Sequence, residues 1–343
     1  MKVVFYLHRV YPESGPDDLS LKSFERVLKA IKGRFKVVPL QELLSADSGG
    51  NLASITFDDG YADNWVYAYP ILKKLGLKAH LFITANRIQN APTVRPTLSD
   101  YWSGKVSLRE LFKPTSMGEC HIRFFRNGDL SEFLTWEELH AMADVFTFGA
   151  HGLNHGKLPV SEEIVDFFDG KNLHRDFLFP EPELFPGKPR FKTRSTLWGR
   201  AFIPSRELLE LCRSFPKEGN WKERLRQELR SVKPGRLETE REAASRIESE
   251  LLETKRLIRE NLGIEPDTFS WPFGHYTSLS REVASKHHSF LFTTKRGVLN
   301  GASPLELPRV PLGRDLFTAL GRVITFSTPL WRLYQRFKRG KSL

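Results

Sequence analysis

Residues 52–60 read LASITFDDG, a strand-length apolar run that ends in Asp58, Asp59 and Gly60. Successive side chains of a strand point to opposite faces, so two neighbouring acids at its end can do different work. Two carboxylates side by side repel each other. The placement makes chemical sense where a cation and a proton divide the pair between them. The competing reading is an acidic turn that closes a strand.

Working outward, the same kind of apolar run recurs between helical patterns. KVVFYL at the start reads as a buried strand, and KVVPL, KAHLFIT and VFTF follow it. Between them SLKSFERVLKAIKGRF carries Phe24, Val27, Leu28 and Ile31 at helical spacing, with Ser20 as N-cap and Gly33 as the stop. LQELLS reads as a short helix, NWVYAYPILKKLGL is helical towards Gly76, and LTWEELHAMA is capped by Thr135. A charged helix over 238–261 places Ile247, Leu251, Ile258 and Leu262 on one face before Gly263. DTFSWPFG, SFLFTT and PLELPRVPL supply the last strand-like pieces. Strands alternating with helices predict an α/β fold with a mainly parallel sheet. Two stretches break the rhythm, at about 88–134 and 159–234. Both read as irregular or partly helical lid regions inserted into a single catalytic unit spanning 1–330.

The bulk numbers narrow the function classes. At 40% hydrophobic and 27% charged residues the 343-residue chain can bury a large core. It has no run of 18 apolar residues to span a bilayer, and MKVVFYLHRVYPESG lacks the apolar length and cleavage site of a signal peptide. Two distant cysteines, Cys120 and Cys212, suit a reduced compartment. The expectation is a cytoplasmic protein. The net charge of +11 raises the question of nucleic acid, but no helix-turn-helix, zinc-finger or RNA-binding signature accompanies it. Part of the excess sits in the tail 331–343, WRLYQRFKRGKSL, where basic and aromatic side chains interleave. That pattern fits weak peripheral contact with an anionic membrane at its inner face, or a solvated tail.

The second chemical feature is GAHGLNHGKL, with His151 and His155. The surrounding glycines argue against a helix, so the pair falls on a loop beyond VFTF, at the same sheet end as the acids. Ligand sites of α/β sheets lie at that carboxyl end. One aspartate with two histidines forms an Asp-His-His ligand set, and the other aspartate stands ready as a base.

TFDDG, HGLNH, TFSWPFG and LHRV together resemble the polysaccharide deacetylase superfamily (carbohydrate esterase family 4), in its branch beginning with a YHRV-type strand. The resemblance covers roughly 1–87, 134–158 and 238–312. It implies a distorted (β/α) barrel of about seven mainly parallel strands. It also implies that Asp58 is the general base, that Asp59, His151 and His155 hold the metal, and that His8 is the acid. Trp271, Pro272 and Phe273 would shape the groove wall, with Tyr61 and Arg309 also on the substrate side. Two features depart from the family pattern. Ser270 stands where many members carry a base-orienting arginine, for which Arg309 is a candidate substitute, and the C-terminal Leu-x-His acid motif is missing.

The activity implied is removal of an N-acetyl group from an acetylated amino-sugar glycan or glycolipid, assisted by one divalent transition metal. Zinc suits the mixed N/O set best; cobalt, nickel, iron and manganese also fit. A deformylase, an O-deacetylase, or a non-catalytic carbohydrate-binding or scaffold protein would share the same scaffold.

Overall fold

The structure, a computed structural model, describes residues 1–46, 50–328 and 331. Its centre is a curled sheet of eight strands: β1 (Lys2–Leu7), β2 (Lys36–Val37), β3 (Leu52–Asp59), β4 (Ala79–Ile83), β5 (Phe146–Ala150), β6 (Thr268–Ser270), β7 (Phe290–Phe292) and β8 (Val310–Pro311). The order is β7-β6-β5-β4-β3-β1-β8, with β2 beside the first half of β3, and every pairing is parallel. Parallel strands are covered on both faces, which is why KVVFYL and LASITF read as continuous apolar runs. The two sheet edges are joined by the segment around Arg309. Leu307 bridges to Phe292 of β7, and three residues later Val310 pairs with Phe5 of β1. The result is the barrel-like, parallel α/β architecture expected, and every strand of it is parallel.

The helix Leu21–Lys32 buries Phe24, Val27, Leu28 and Ile31, and Ser20 caps it by accepting from the Ser23 amide. The long charged helix runs Glu240–Leu262, two residues later than its pattern suggested. Thr239 and Glu242 form a reciprocal capping box at its start, and Gly263 adopts φ 68° at its end. The NWVYAYPILKKLGL segment is helical from its beginning: a π-turn at Asn64–Ala68 feeds the α-helix Tyr69–Leu75.

The two insertions are more ordered than their composition suggests. In the first, the helix Met117–Asn127 is tied to the barrel by an ion network that it enters through Arg123, which donates to Glu132 at 2.7 Å. Arg9 donates to Asp63 at 2.8 Å and to Glu132 at 2.6 Å. The second holds an antiparallel pair, Lys157–Phe167 with Pro189–Ser195, and another, Phe202–Pro204 with Gly235–Leu237. Two helices, Arg206–Ser214 and Trp221–Glu228, pack with these strands around Phe167, Phe191, Phe202, Leu208 and Leu225. This second insertion was expected to be irregular and partly helical. Its strands hide because the inward positions of Pro189–Ser195 are Pro189, Phe191, Thr193 and Ser195, half of them polar.

Of the tail 331–343, Trp331 alone is described. It is buried and stacks on Phe326 with ring centroids 4.3 Å apart, so its ring is committed to the core and is not presented to a membrane. The rest of the proposed membrane contact lies outside the described residues. Among the described residues no helix is long and apolar enough to cross a membrane. Cys120 and Cys212 are buried free thiols.

Candidate active site

The acidic pair closes β3 at the carboxyl end of the sheet. Asp58 and Asp59 pair with Phe82 and Ile83 of β4, and Asp59 turns into the left-handed region at φ 77°. Aspartate tolerates that conformation better than most residues, at a cost of roughly 1–3 kcal/mol. Gly60 follows at φ 90°, where an added Cβ would meet Ile88 Cδ1 at 2.8 Å. The reversal sends the two carboxylates to different partners.

Asp58 meets Arg309. The guanidinium forks onto it, Nη1 to Oδ1 at 2.7 Å and Nη2 to Oδ2 at 2.8 Å, and Nη2 also donates to Ser270 Oγ at 2.7 Å. Arg309 is fully buried and lies over the Tyr6 ring, 4.3 Å from its centroid. Burial opposes ionisation of Asp58, but Arg309 overrides it and holds the carboxyl below the usual range. Ser270 is small enough to leave room for a guanidinium arriving from the 307–312 segment.

Asp59 meets the histidine loop. His151 follows β5 directly and donates its amide to Ile83 O at 2.8 Å. The loop is pinned by Ala85 N to Gly152 O at 3.1 Å, by Asn86 N to Leu153 O at 2.9 Å, and by Leu153 N to the half-buried Glu250 at 3.3 Å. It is not helical: Gly152 has φ 80° and His155 has φ 53°. Nδ1 of His151 donates to Ser270 O at 2.7 Å, because a carbonyl can accept but not donate. Its Nε2 therefore carries the lone pair.

Asp59 Oδ1 lies 3.3 Å from Nε2 of His151 and 3.3 Å from Nε2 of His155. The three donor atoms fall within 4.8 Å of one another, and all three residues are buried. Asp59 Oδ1 has no hydrogen bond of good geometry despite its burial. An orphaned carboxylate oxygen facing two imidazole lone pairs fits a divalent cation. Burial opposes ionisation of Asp59, yet the two histidines hold it well below the ordinary range. Burial drives His155 well below the usual histidine value.

His8 lies across the cavity from this set. Its Nδ1 is 3.2 Å from Asp18 Oδ2, the same oxygen that accepts the backbone amides of His8 and Arg9 at 2.9 and 3.1 Å. Burial disfavours the imidazolium, but Asp18, with Asp59 and Asp58 beyond it, pushes the pKa up to about 9. Asp18 sits ten positions from His8 in a loop and carries no motif, so the sequence did not single it out.

These side chains surround a cavity of about 240 Å3. Trp271 and Phe273 line it, and the Phe273 ring lies 4.2 Å from that of His155. Three residues expected on the substrate side do not line it. Pro272 is buried beside Gly152, Arg309 is enclosed behind Asp58, and Tyr61 is fully buried with its hydroxyl 3.1 Å from His121 Nε2. In their place the insertions contribute His121 and Arg175. Neither was selected from sequence, because each stands alone in a stretch without regular pattern.

Residues 45–168 match the family model for polysaccharide deacetylase. A curated relative, the putative polysaccharide deacetylase YxkH of Bacillus subtilis (strain 168), is 59% identical over 34 residues, which is 10% of this chain and 12% of that protein. Solved structures share the fold at low identity. IcaB from Ammonifex degensii is 17% identical, with a TM-score of 0.53 over 95% of this chain and 96% of that one. A de-N-acetylase from Aggregatibacter actinomycetemcomitans is 15% identical, with a TM-score of 0.58 over 95% and 99%. The BpsB deacetylase domain from Bordetella bronchiseptica is 16% identical, with a TM-score of 0.54 over 90% and 94%. The match to the polysaccharide deacetylase family model contains both aspartates and both loop histidines.

Proposed function

We propose that this protein is a metal-dependent N-deacetylase acting on an acetylated amino-sugar glycan or a lipid-linked saccharide. The observation that carries the reading is the convergence of Asp59 Oδ1 with the two histidine Nε2 atoms, next to a carboxylate held ionised by Arg309. Asp59, His151 and His155 would hold one divalent transition metal, zinc by preference for this N/O set. Such an ion supplies Lewis acidity, polarising an acyl carbonyl and lowering the pKa of water to about 7.

The chain's own residues divide the proton work. Asp58 accepts a proton: Arg309 fixes its plane, and each carboxylate oxygen keeps a second lone pair for the cavity. His8 delivers one to the departing amine from Nε2, since Asp18 holds Nδ1. With a pKa of about 9 it is charged at neutral pH, as an acid must be before it can donate. Phe273 and Trp271 wall the site on the other side.

Elemental analysis and an acetate-release assay test this together. Wild type should carry about one transition metal per chain, and His151→Ala none. Asp58→Asn should keep the metal and release acetate at least ~100-fold more slowly. A fully active Asp58→Asn protein refutes the assignment of the base. Absence of metal from wild type, even after zinc, cobalt or nickel is added, refutes the centre and favours a non-catalytic carbohydrate-binding role. Release of formate, or of acetate from O-acetyl esters alone, would assign the same machinery to a deformylase or an O-deacetylase.

A further inference from the structure

The wall of the cavity built by the two insertions carries hydrogen-bond donors and no carboxylate free to meet them. His121, on the helix Met117–Asn127, lines the cavity. Its Nε2 lies 3.0 Å from Nη1 of the buried Arg87 and 3.1 Å from the Tyr61 hydroxyl. A guanidinium cannot accept, so Nε2 must, and the imidazole proton resides on Nδ1. That N–H has no hydrogen-bond partner among the described residues and is not sealed from solvent.

Arg175, from the second insertion, lines the same cavity with its side chain 38% exposed. Its neighbour Asp176 does not neutralise it. That carboxylate is taken by Lys157 Nζ at 2.9 and 3.0 Å and by Thr193 Oγ1 at 2.9 Å, leaving Arg175 a 3.5 Å approach through Nε. The terminal nitrogens of Arg175 make no hydrogen bond among the described residues. Lys157 and Arg175 both stand over Phe273, at 5.2 and 5.9 Å from its ring centroid, so two cations flank the aromatic wall. On the opposite side, Asp58 is occupied by Arg309 and Asp59 faces the histidines.

We propose that Arg175 and His121 form a donor-only subsite for an anionic substituent, a carboxylate or a phosphate, carried by the acetamido sugar. The inference rests on the deacetylase reading above and narrows its substrate to acidic sugars. A fork of guanidinium donors matches the planar pair of oxygens on either anion, and the His121 N–H adds a neutral donor beside it.

Calorimetric titration of the metal-loaded full chain tests the subsite, using N-acetylglucosamine as the neutral probe. N-acetylmuramic acid supplies the carboxylate, and N-acetylglucosamine 1-phosphate and 6-phosphate supply the phosphate. Wild type should bind at least one of the anionic sugars about tenfold or more tightly than the neutral one at low ionic strength, a preference weakened by salt. Which probe is favoured separates carboxylate from phosphate. Arg175→Met should bring the ratio to within about twofold, and Arg175→Lys should restore part of it. Thermal unfolding of the same variants confirms that they are folded.

A wild-type ratio near unity, or a preference that survives Arg175→Met, overturns the subsite, as does failure of every probe to bind at millimolar concentration. Acetate release measured in parallel keeps the two readings apart. Anionic preference without acetate release leaves the subsite standing and removes the deacetylase reading. Release from neutral and anionic sugars alike, without preference, does the reverse.

Discussion

Removing the Arg309 guanidinium while keeping its length, as in Arg309→Met, leaves Asp58 buried without its counter-charge. Five hydrogen bonds disappear: 2.7 and 2.8 Å to the carboxylate, 2.7 Å to Ser270 Oγ, and longer ones of 3.3 Å to Thr56 Oγ1 and 3.4 Å to Thr293 O. Breaking a fully buried ion pair from one side costs about 3–5 kcal/mol, mostly because the remaining charge stays unpaired. Part of that cost is avoidable if the remaining charge is removed too. The double variant Asp58→Asn/Arg309→Met should therefore be more stable than the sum of the single losses predicts, with a coupling of about 2–3 kcal/mol. The sign with pH follows from Asp58, whose carboxyl is depressed in the folded protein. Its contribution is fully present above the ordinary aspartate range and is lost as pH falls through the folded value. The coupling should hold at neutral pH and fade in acid. Urea unfolding of the four proteins, with chelator present so that metal affinity does not enter, measures it. Strict additivity at neutral pH, within about 0.5 kcal/mol, would show that Arg309 and Asp58 do not act as a pair and would refute this account of the base.

Asp18→Asn removes the main support of the charged His8, so the alkaline limb of the activity profile, expected near pH 9, should move towards the ordinary histidine value of 6.5. A pH–rate series on acetate release checks this, and an unmoved limb excludes His8 as the acid. Glu250→Ala takes away the acceptor of Leu153 N and Thr196 Oγ1, which steadies the histidine loop. Zinc affinity, read by competition with a chromophoric chelator, should fall roughly 10–100-fold. Arg9→Met leaves Asp63 without a counter-charge in the interior, while Glu132 keeps Arg123 at 2.7 Å, and should cost about 3–5 kcal/mol in urea unfolding. Limited proteolysis should then cut the first insertion sooner than in wild type.

What could be read from the chain and what could not divides along physical lines. The barrel was legible because its strands are buried on both faces and its helices bury a periodic stripe, as in Phe24-Val27-Leu28-Ile31. The histidine loop was legible because Gly149, Gly152 and Gly156 disfavour a helix there, and Gly152 and His155 do occupy left-handed backbone. Arg309 stood out between two prolines as a replacement for a missing guanidinium. Its place against Asp58 depends on a pairing across the whole sheet, which no local pattern encodes. Asp18, His121 and Arg175 were invisible for the same reason: each is an isolated polar residue whose meaning comes from what the fold brings beside it. The antiparallel strands of the second insertion escaped because the inward positions of Pro189–Ser195 are Pro, Phe, Thr and Ser, half of them polar.

The join between the sheet edges has a bearing on how the protein is made. Arg309 reaches Asp58 across 251 positions of chain, from a segment that pairs with the first strand of the barrel. During synthesis both aspartates, both loop histidines and His8 leave the ribosome long before the cation that compensates the base. Until the chain has passed that point, Asp58 must stay hydrated or protonated, and the nascent barrel stays open along one edge. Its final closure is a long-range event, slow by topology and late by order of translation. Proteins truncated before residue 309 should accordingly accumulate as open-edged intermediates and partition to chaperones, whatever the integrity of their upstream motifs.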